Sequence, residues 1–353
     1  MIGRRAPAPA SAPEVNPPGG LSGSPPPAAA LVVRNLTTVY GTSRGQIVAV
    51  RDVSFEIAAG EALGMVGESG CGKTAVALAL VGLLPRNGRI AGGEITLGGA
   101  NLVNAGRRAL REVRGRRIAM VFQDSMTSLD PLMPIGKQIA EGMIAHLGVS
   151  EAAARTQTVD LLEEVGVPDA VTRLRQYPHQ LSGGLRQRVA IAVALAANPD
   201  VLIADEPTTA LDVTIQAQIL DLLERERTRR GMALLLITHD LGVVASVTDR
   251  VAVMYAGRVV ESGLTGEIFA DPRHPYTLGL LKSMPRVDSP LERRMPTIPG
   301  APPSGYLGVP GCAFAPRCTF SVERCRVEAP QLERPRESAE THGAACFVDV
   351  RAA

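Results

Sequence analysis

Residues 67–74 have the types and spacing of a phosphate-binding loop. They read Gly-Glu-Ser-Gly-Cys-Gly-Lys-Thr, which fits the pattern G-x-x-x-x-G-K-[ST]. The glycines let the backbone adopt positive φ and approach a ligand closely, so that successive N–H groups can point at phosphate oxygens. The lysine can reach the outer phosphates as a point charge, and the threonine hydroxyl can bind Mg²⁺. The candidate residues are Gly67, Glu68, Ser69, Gly70, Cys71, Gly72, Lys73 and Thr74, the last also as a metal ligand.

The sequence on either side of this loop has the order that the motif requires. An apolar run over Ala62–Val66 predicts a buried strand, and residues 75–84 predict a helix. The start of that helix would add partial positive charge where the phosphates bind. An incidental Gly-rich turn would not have this context. Cys71, inside the loop, is interpreted as a small filler residue.

Composition narrows the class of protein. A chain of 353 residues suggests roughly two domains, and 45% hydrophobic residues are enough for a sizeable core. The formal net charge of +2 indicates no strong attraction to nucleic acid or membrane. No apolar run approaches the roughly 18 residues of a spanning helix, and the N-terminus lacks the apolar segment of a signal peptide. We therefore expect a cytoplasmic protein, in which five cysteines suggest free thiols or a metal site rather than disulfides.

The chain divides into three parts by composition. Residues 1–30 are rich in Pro, Ala, Gly and Ser and predict a disordered tail. Residues 31–271 predict an α/β nucleotide-binding domain, with a helical subdomain at about 124–198. Residues 272–353 are rich in proline and predict a separate, loop-rich extension.

Alternating elements predict a parallel sheet in the second part. Apolar strands are predicted at 201–204 and 233–238, with a helix at 214–229 between them, so ligand groups should lie at the carboxyl ends of the strands. Strands at 31–33 and 49–57 predict a small antiparallel sheet. Helices in the inserted subdomain are predicted at 135–147, 151–165 and 185–197. The basic run 107–117 has no interleaved aromatic residues, which favours a solvated face over contact with phosphate or nucleic acid.

A second candidate anion site opens the helix that follows Leu181. The stretch 181–188 reads Leu-Ser-Gly-Gly-Leu-Arg-Gln-Arg; Ser182 can cap the helix, and Gly183 and Gly184 leave N–H groups accessible. This stretch resembles the signature motif of ABC-transporter ATPases. Leu185 stands where that family usually has Gln, but the phosphate contacts come mainly from Ser182 and the glycine N–H groups, so we expect function to survive.

Further stretches agree with this resemblance in order and spacing, from residue 31 to about 270. They resemble the Q-loop (121–123), Walker B with its following glutamate (201–206), the D-loop (210–212) and the switch histidine (His239), and Tyr40 falls where an adenine-stacking aromatic is expected. The resemblance implies a RecA-like α/β P-loop core with an antiparallel β subdomain, a helical subdomain and a C-terminal extension that contains cysteines.

The resemblance also implies a mechanism. Two ATPase subunits would sandwich two ATP molecules head to tail, and each site would pair the phosphate loop of one chain with the signature motif of the other. Phosphoryl transfer depends on charge neutralisation and a positioned nucleophile. By this resemblance Asp205 would bind Mg²⁺ through water, and Gln123 would contact the metal and the attacking water. Glu206 would be the general base, and His239 would orient the γ-phosphate. Asp212 in the D-loop would contact the nucleotide.

Several stretches resemble one subfamily, the ATPases of dipeptide, oligopeptide and nickel importers. They are 67–70, 124–131, 177–180, 274–281 and 298–303, the last followed by Cys312. The greatest likeness is to the first of the two ATPases of dipeptide permeases. It implies a peripheral subunit on the cytoplasmic face of the inner membrane, with a second ATPase, two membrane permeases and an extracytoplasmic binding protein. The permeases' coupling helices would dock on the Q-loop region and the helical insertion.

Other functions are less well supported by the sequence. A nickel or other small-solute importer of the same family remains an alternative. A soluble ABC ATPase that acts on DNA or ribosomes usually has a second cassette, a coiled coil or a zinc insertion, and an exporter half has a fused membrane segment. The sequence has none of these features.

Four cysteines in the extension call for an explanation: Cys312, Cys318, Cys325 and Cys346. Their spacing differs from the usual zinc pattern C-x₂₋₄-C, but small loop-rich segments need a staple that a metal can supply. Some dipeptide-permease ATPases have four such cysteines, and this resemblance implies a [4Fe–4S] cluster with Cys₄ ligation. Zinc, unligated thiols and a disulfide remain alternatives. His146, His179 and His342 are interpreted as structural or surface residues.

Overall fold

A seven-stranded sheet forms the centre of the molecule, in the order β11-β10-β9-β3-β8-β7-β6. This computed structural model describes residues 29–43, 45–124, 128–284, 297–303, 310–333 and 342–351. The strands of the sheet are β3 (Ala62–Val66), β6 (Ile118–Val121), β7 (Val201–Asp205), β8 (Ala233–Thr238), β9 (Arg250–Tyr255), β10 (Arg258–Leu264) and β11 (Gly343–Ala344).

Parallel pairing joins β6, β7, β8, β3 and β9, whereas β10 and β11 pair antiparallel at one edge. Leu202 and Ala204 pack on one face of the sheet and Ile203 on the other, in two different apolar clusters. Strands that are buried on both faces need apolar side chains at successive positions, which is why β3, β7 and β8 have continuous apolar runs. The predicted parallel sheet is therefore confirmed.

A second, antiparallel sheet covers one face of the first, in the order β2-β1-β4-β5. Its strands are β1 (Ala29–Thr42), β2 (Gly45–Ala58), β4 (Gly88–Leu97) and β5 (Ala100–Asn101). Buried residues of these strands share a cluster with Leu63 and Met65 of β3 and with Val76 and Leu80 of the helix that follows the phosphate loop. The predicted antiparallel sheet is present, with longer strands than expected.

Helices cover the remaining surfaces. They are α1 (Lys73–Leu80), α2 (Arg107–Val113), α3 (Ile135–Leu147), α4 (Glu151–Glu164), α5 (Ala170–Arg173), α6 (Gly183–Leu195), α7 (Val213–Arg230), α8 (Leu241–Val247), α9 (Thr265–Ala270), α10 (Pro275–Lys282) and α11 (Arg324–Val327). Helices α3, α4 and α6 form the inserted helical subdomain and share a core with the second face of the sheet. In the part of the chain that the structure describes, no helix is both long enough and apolar enough to cross a bilayer.

The helix predicted after the phosphate loop needs correction, whereas the basic run forms an exposed helix. The helix predicted at 75–84 is Lys73–Leu80, because Gly82 adopts φ 63° and Leu83 N–H bonds back to Leu78 O at 2.7 Å, which ends the helix in a left-handed turn. The basic run 107–117 forms α2, none of whose residues is buried, as expected for a solvated face. Beyond that helix, however, Arg114 donates to Val81 O at 2.6 Å.

The C-terminal extension packs on the nucleotide-binding domain rather than standing apart from it. Tyr276 of α10 and Phe314 share an apolar cluster with Val66 at the end of β3. His342, predicted to be structural or superficial, is buried and pairs with the buried Glu261 of β10 at 2.8 Å. The adjoining β11 extends the main sheet, so the end of the chain is tied to the core.

Some predicted features lie outside the described residues. Residues 1–28 of the predicted tail are outside the described part of the chain, whereas Ala29 and Ala30 belong to β1. Residues 125–127 of the stretch 124–131 and the proline-containing segment 285–296 are also outside the described part of the chain.

Candidate nucleotide-binding site

The phosphate loop connects β3 to α1 and follows a fully buried strand. Gly72, directly before the helix, has φ 111°, and a Cβ atom built there would lie 2.5 Å from the carbonyl oxygen of Ala49. Gly67 has φ 155°, and a Cβ there would collide with the backbone of Met254. Only glycine fits at these positions, which explains the spacing in the motif physically.

Lys73 ties the loop together from the inside. Its side chain is buried, and Nζ donates to Gly67 O at 2.7 Å and to Glu68 O at 3.1 Å. The ammonium charge and the positive end of α1 therefore lie at the same place, which suits an anionic ligand. Cys71 is buried beside it, and burial raises the pKa of its thiol, in agreement with a filler residue.

The predicted catalytic residues meet around one carboxylate. Glu206 follows β7, and its Oε2 accepts hydrogen bonds from Gln123 Nε2 at 3.1 Å and Thr209 Oγ1 at 2.9 Å. His239, which follows β8, has Nδ1 3.4 Å from Glu206 Oε1. Since β6, β7 and β8 are adjacent and parallel, their carboxyl ends bring these side chains together at one edge of the sheet.

Asp205, the last residue of β7, is 1% exposed. Burial raises the pKa of its carboxyl, the charge of Glu206 acts in the same direction, and a hydrogen bond from Thr74 and the charge of Lys73 oppose the shift. Among the described residues, its Oδ1 atom is buried without a hydrogen-bond partner. A buried carboxylate oxygen with unused capacity beside a threonine hydroxyl suits a hydrated Mg²⁺ ion, so the residues fit the predicted metal.

The signature stretch lies at the start of α6. Ser182 caps this helix, with Oγ accepting from Leu185 N at 3.4 Å, and Ser182 and Gly183 are exposed. A Cβ atom at Gly184 would lie 2.8 Å from Ile215 Cγ2, so this glycine allows close packing against α7. Leu185, which departs from the usual Gln, packs against the apolar core of the helical subdomain. The helix start itself remains open to an anion.

Two predicted nucleotide contacts have local structural roles. Asp212 caps α7, since its Oδ1 accepts from Ile215 N at 3.0 Å. Tyr40 lies in β1 opposite Gly88, is half-buried, and has its pKa raised by burial. Their contacts with a nucleotide stay predictions.

Sequence reasoning missed two residues that hold the phosphate loop from outside. Tyr276 Oη accepts from the backbone N–H of Glu68 at 2.8 Å, across 208 residues of sequence. The guanidinium of Arg317 pairs with the Glu68 carboxylate at 2.7 and 3.0 Å, across 249 residues. The only available signals were the importer-like stretch 274–281, which contains Tyr276, and the position of Arg317 directly before Cys318.

The four cysteines of the extension line one small cavity, together with His274 and Phe314. Burial raises the pKa of the Cys312 and Cys318 thiols and raises that of Cys346 to about 11, which favours the protonated form at neutral pH. Across the described ranges, no three His, Cys, Asp or Glu side chains are placed to hold a metal ion together. The structure therefore brings the four thiols to one cavity, and metal binding by them stays a prediction.

Substitutions at two loop glycines test the backbone argument. Gly70 (φ 80°) and Gly72 (φ 111°) both have positive φ, but a Cβ at Gly70 meets open space. Gly70→Ala should cost only the left-handed strain, about 1–2 kcal/mol of unfolding free energy. Gly72→Ala must also displace the Ala49 carbonyl and should lose clearly more stability and more nucleotide affinity. Denaturant unfolding and equilibrium titration with a fluorescent ATP analogue measure both quantities; equal losses in the two variants would contradict the argument.

Comparison with protein families gives two matches. Residues 50–209 match the model described as ABC transporter. Residues 260–325 match the model described as the C-terminal region of oligopeptide/dipeptide transporters.

Individual relatives cover nearly the whole chain. A putative peptide import ATP-binding protein of Brucella ovis is 50% identical over 329 residues, covering 90% of this chain and 96% of the relative. The oligopeptide transport ATP-binding protein OppD of Salmonella typhimurium is 49% identical over 311 residues, covering 88% of this chain and 92% of OppD.

Solved structures agree with the predicted fold class. A dimeric ATP-binding cassette, MJ0796, in a post-hydrolysis state bound to ADP and phosphate, superposes with a TM-score of 0.61 at 27% identity. The match covers 67% of this chain and 98% of that one. The chain belongs to the ABC-transporter family of ATP-binding proteins and carries the C-terminal region of the oligopeptide/dipeptide transporters.

Proposed function

We propose that this chain is the ATP-hydrolysing subunit of an importer for dipeptides or oligopeptides. The observation that carries the proposal is the meeting of Gln123, Glu206 and His239 beside Asp205, in a chain with the peptide-transporter C-terminal region. The names of the relatives support peptide as the transported solute. Nickel or another small solute is the alternative within the same architecture.

The catalytic roles follow from the positions of the side chains. Lys73 and the loop N–H groups would bind the β- and γ-phosphates. Asp205 and Thr74 would hold Mg²⁺, with Gln123 as a further contact, and the ion would neutralise phosphate charge. Glu206, oriented by Gln123 and Thr209, would take a proton from the attacking water as general base.

The exposed helix start at Ser182 and Gly183 supports a two-chain site. Both residues are exposed, so a second cassette can present a nucleotide to this helix start. Head-to-tail pairing with a second ATPase subunit would place the phosphate loop of each chain against the signature stretch of the other. Tyr40 and Asp212 would complete contacts with the nucleotide in this assembly.

A groove on the helical subdomain supports docking of membrane permeases. It lies between α3 and the chain near Tyr177 and is lined by apolar and charged side chains, among them Lys137, Glu141 and Ile144. Leu147 at the end of α3 and Leu132, three residues before its start, are exposed apolar residues. Two permeases would insert cytoplasmic helices here, and an extracytoplasmic binding protein would deliver the solute. The chain would then be peripheral, on the cytoplasmic face of the inner membrane.

The four cysteines would hold a [4Fe–4S] cluster that staples the extension. Support comes from their convergence on one cavity and from the fit of Cys₄ ligation to this cluster. Ligation would require the thiols to lose their protons and move closer together. Zinc, unligated thiols and a disulfide are the alternatives.

Substitution of Glu206 tests the general base. Glu206→Gln keeps the size and hydrogen-bonding reach of the side chain but cannot accept the proton, so it should bind ATP and hydrolyse it roughly 10²-fold more slowly. Glu112→Gln, on the exposed helix α2, is the matched control and should retain full activity. Near-normal turnover of Glu206→Gln in a single-turnover assay would exclude this role.

Recovery from membranes tests the partners. Tagged protein purified from membranes in mild detergent should bring along a second ATPase and two permeases. Ile144→Asp places a charge in the groove and should abolish recovery of the permeases while leaving ATP binding intact. Recovery of ribosomes or DNA without permeases would overturn the importer assignment.

Anaerobic purification tests the metal. A cluster predicts a broad visible band near roughly 400 nm and about four irons per chain. Cys318→Ser should lose both. Zinc in place of iron would make the extension a zinc-stapled segment, and wild-type protein with neither metal would exclude a metal and leave unligated thiols or a disulfide.

A further inference from the structure

The C-terminal extension contacts the phosphate loop at one residue, Glu68. Tyr276 accepts a hydrogen bond from the backbone N–H of Glu68 at 2.8 Å. Arg317 pairs with its carboxylate through two nitrogen–oxygen contacts, Nη1–Oε2 at 2.7 Å and Nη2–Oε1 at 3.0 Å. Both the backbone and the side chain of this loop residue are therefore held by residues more than 200 positions away.

Arg317 is itself firmly placed. Its side chain is 5% exposed, and Nε donates to Pro299 O at 2.8 Å. Nη1 also lies 3.4 Å from the hydroxyl of Tyr255, at the end of β9. Hydrogen bonding to Glu68 raises the pKa of the guanidinium, which therefore stays charged. A two-point guanidinium–carboxylate pair fixes orientation as well as distance, which a lysine cannot do.

Aromatic packing holds residues 312–318, which include Arg317, against the core. Phe314 lies three residues earlier, is 4% exposed, and packs edge-on against Tyr255 and Tyr276 with ring centroids 5.2 and 5.4 Å away. Cys312 and Cys318 flank this short stretch. Any movement of residues 312–318 on the core would therefore move the guanidinium.

Glu68 links this outer contact to the inside of the loop. Its carbonyl oxygen accepts from Lys73 Nζ at 3.1 Å, so one residue is held by Arg317 and Tyr276 from outside and by Lys73 from inside. Displacement of Glu68 would shift both the lysine and the N–H groups that face phosphate. A phosphate site depends on these positions to within a fraction of an ångström.

We propose that Arg317 is a positioning residue for the phosphate loop, which it holds through Glu68, so that nucleotide affinity depends on how residues 312–318 are seated. The proposal rests on ATP binding at this loop, and it is independent of the transported solute and of any metal. The extension would thus set the affinity of the ATP site in addition to tying down the end of the chain.

A double-mutant cycle on the full chain tests the proposal. Arg317→Ala and Glu68→Gln should each weaken MgATP binding about five- to tenfold, within the usual range for coupled sites. The rate constant for hydrolysis of bound ATP should change less, about twofold at most. The double variant should bind no more weakly than the worse single variant, because Arg317 acts only through Glu68. Equilibrium titration and single-turnover hydrolysis separate the two quantities.

Two further variants control for general damage to the extension. Arg324→Ala removes a similar two-point pair with Glu328, at 2.6 and 2.9 Å, whose two side chains are exposed, and should leave MgATP affinity unchanged. Arg317→Lys keeps the charge with one contact and should give an intermediate affinity, which keeps the test valid if Arg317→Ala does not fold. Thermal unfolding verifies that each variant is folded.

The outcomes are distinct. The positioning role would be overturned if the losses of MgATP affinity in the two single variants multiplied in the double variant. An unchanged affinity in Arg317→Ala, or a loss in Arg324→Ala as large as that in Arg317→Ala, would overturn it as well. Failure of the wild-type chain to bind ATP would instead contradict the proposed function.

Discussion

Burial of the central parallel strands on both faces is the constraint on which the site depends. β3, β7 and β8 can satisfy their backbone groups and cover their apolar side chains only side by side beneath the two outer layers. This packing fixes where each strand ends. The phosphate loop, Asp205 and His239 therefore meet at one edge of the sheet, although they are far apart in sequence.

The charges at this edge are buried, and their environment prepares them for ligand. Asp205 is desolvated beside Thr74, Lys73 and Glu206, and one of its oxygens has unused hydrogen-bonding capacity within the described residues. Lys73 donates hydrogen bonds to two backbone carbonyl oxygens of the loop. Such groups gain most from a bound cation and phosphate, because their interactions act in a medium of low dielectric constant.

The C-terminal extension shares an apolar core with the nucleotide-binding domain. Phe314 and Tyr276 share a core with Val66, the residue that directly precedes the phosphate loop. β11 also joins the main sheet through β10, and His342 pairs with the buried Glu261. The extension is therefore part of the same packed unit. Arg317, directly before Cys318, contacts Glu68 of the phosphate loop.

Features that depend on short, continuous stretches could be predicted from the order of residues. Residues 67–74 specify a phosphate loop because their conformation is local, and the apolar runs 201–204 and 233–237 specify buried strands because side chains on both faces of the sheet are buried there. The order of the motifs was likewise sufficient to predict the family and the α/β fold.

Contacts between surfaces that are far apart in sequence became visible only in the folded molecule. No local pattern records that Arg317 pairs with Glu68 or that Tyr276 reaches the same residue, because each contact depends on how the extension packs against β9 and β3. The same holds for the four cysteines. The sequence shows that four thiols are available, but only the packing around Phe314 brings them to one cavity. Long-range side-chain contacts follow from the shape of the whole core, which no single stretch of sequence contains.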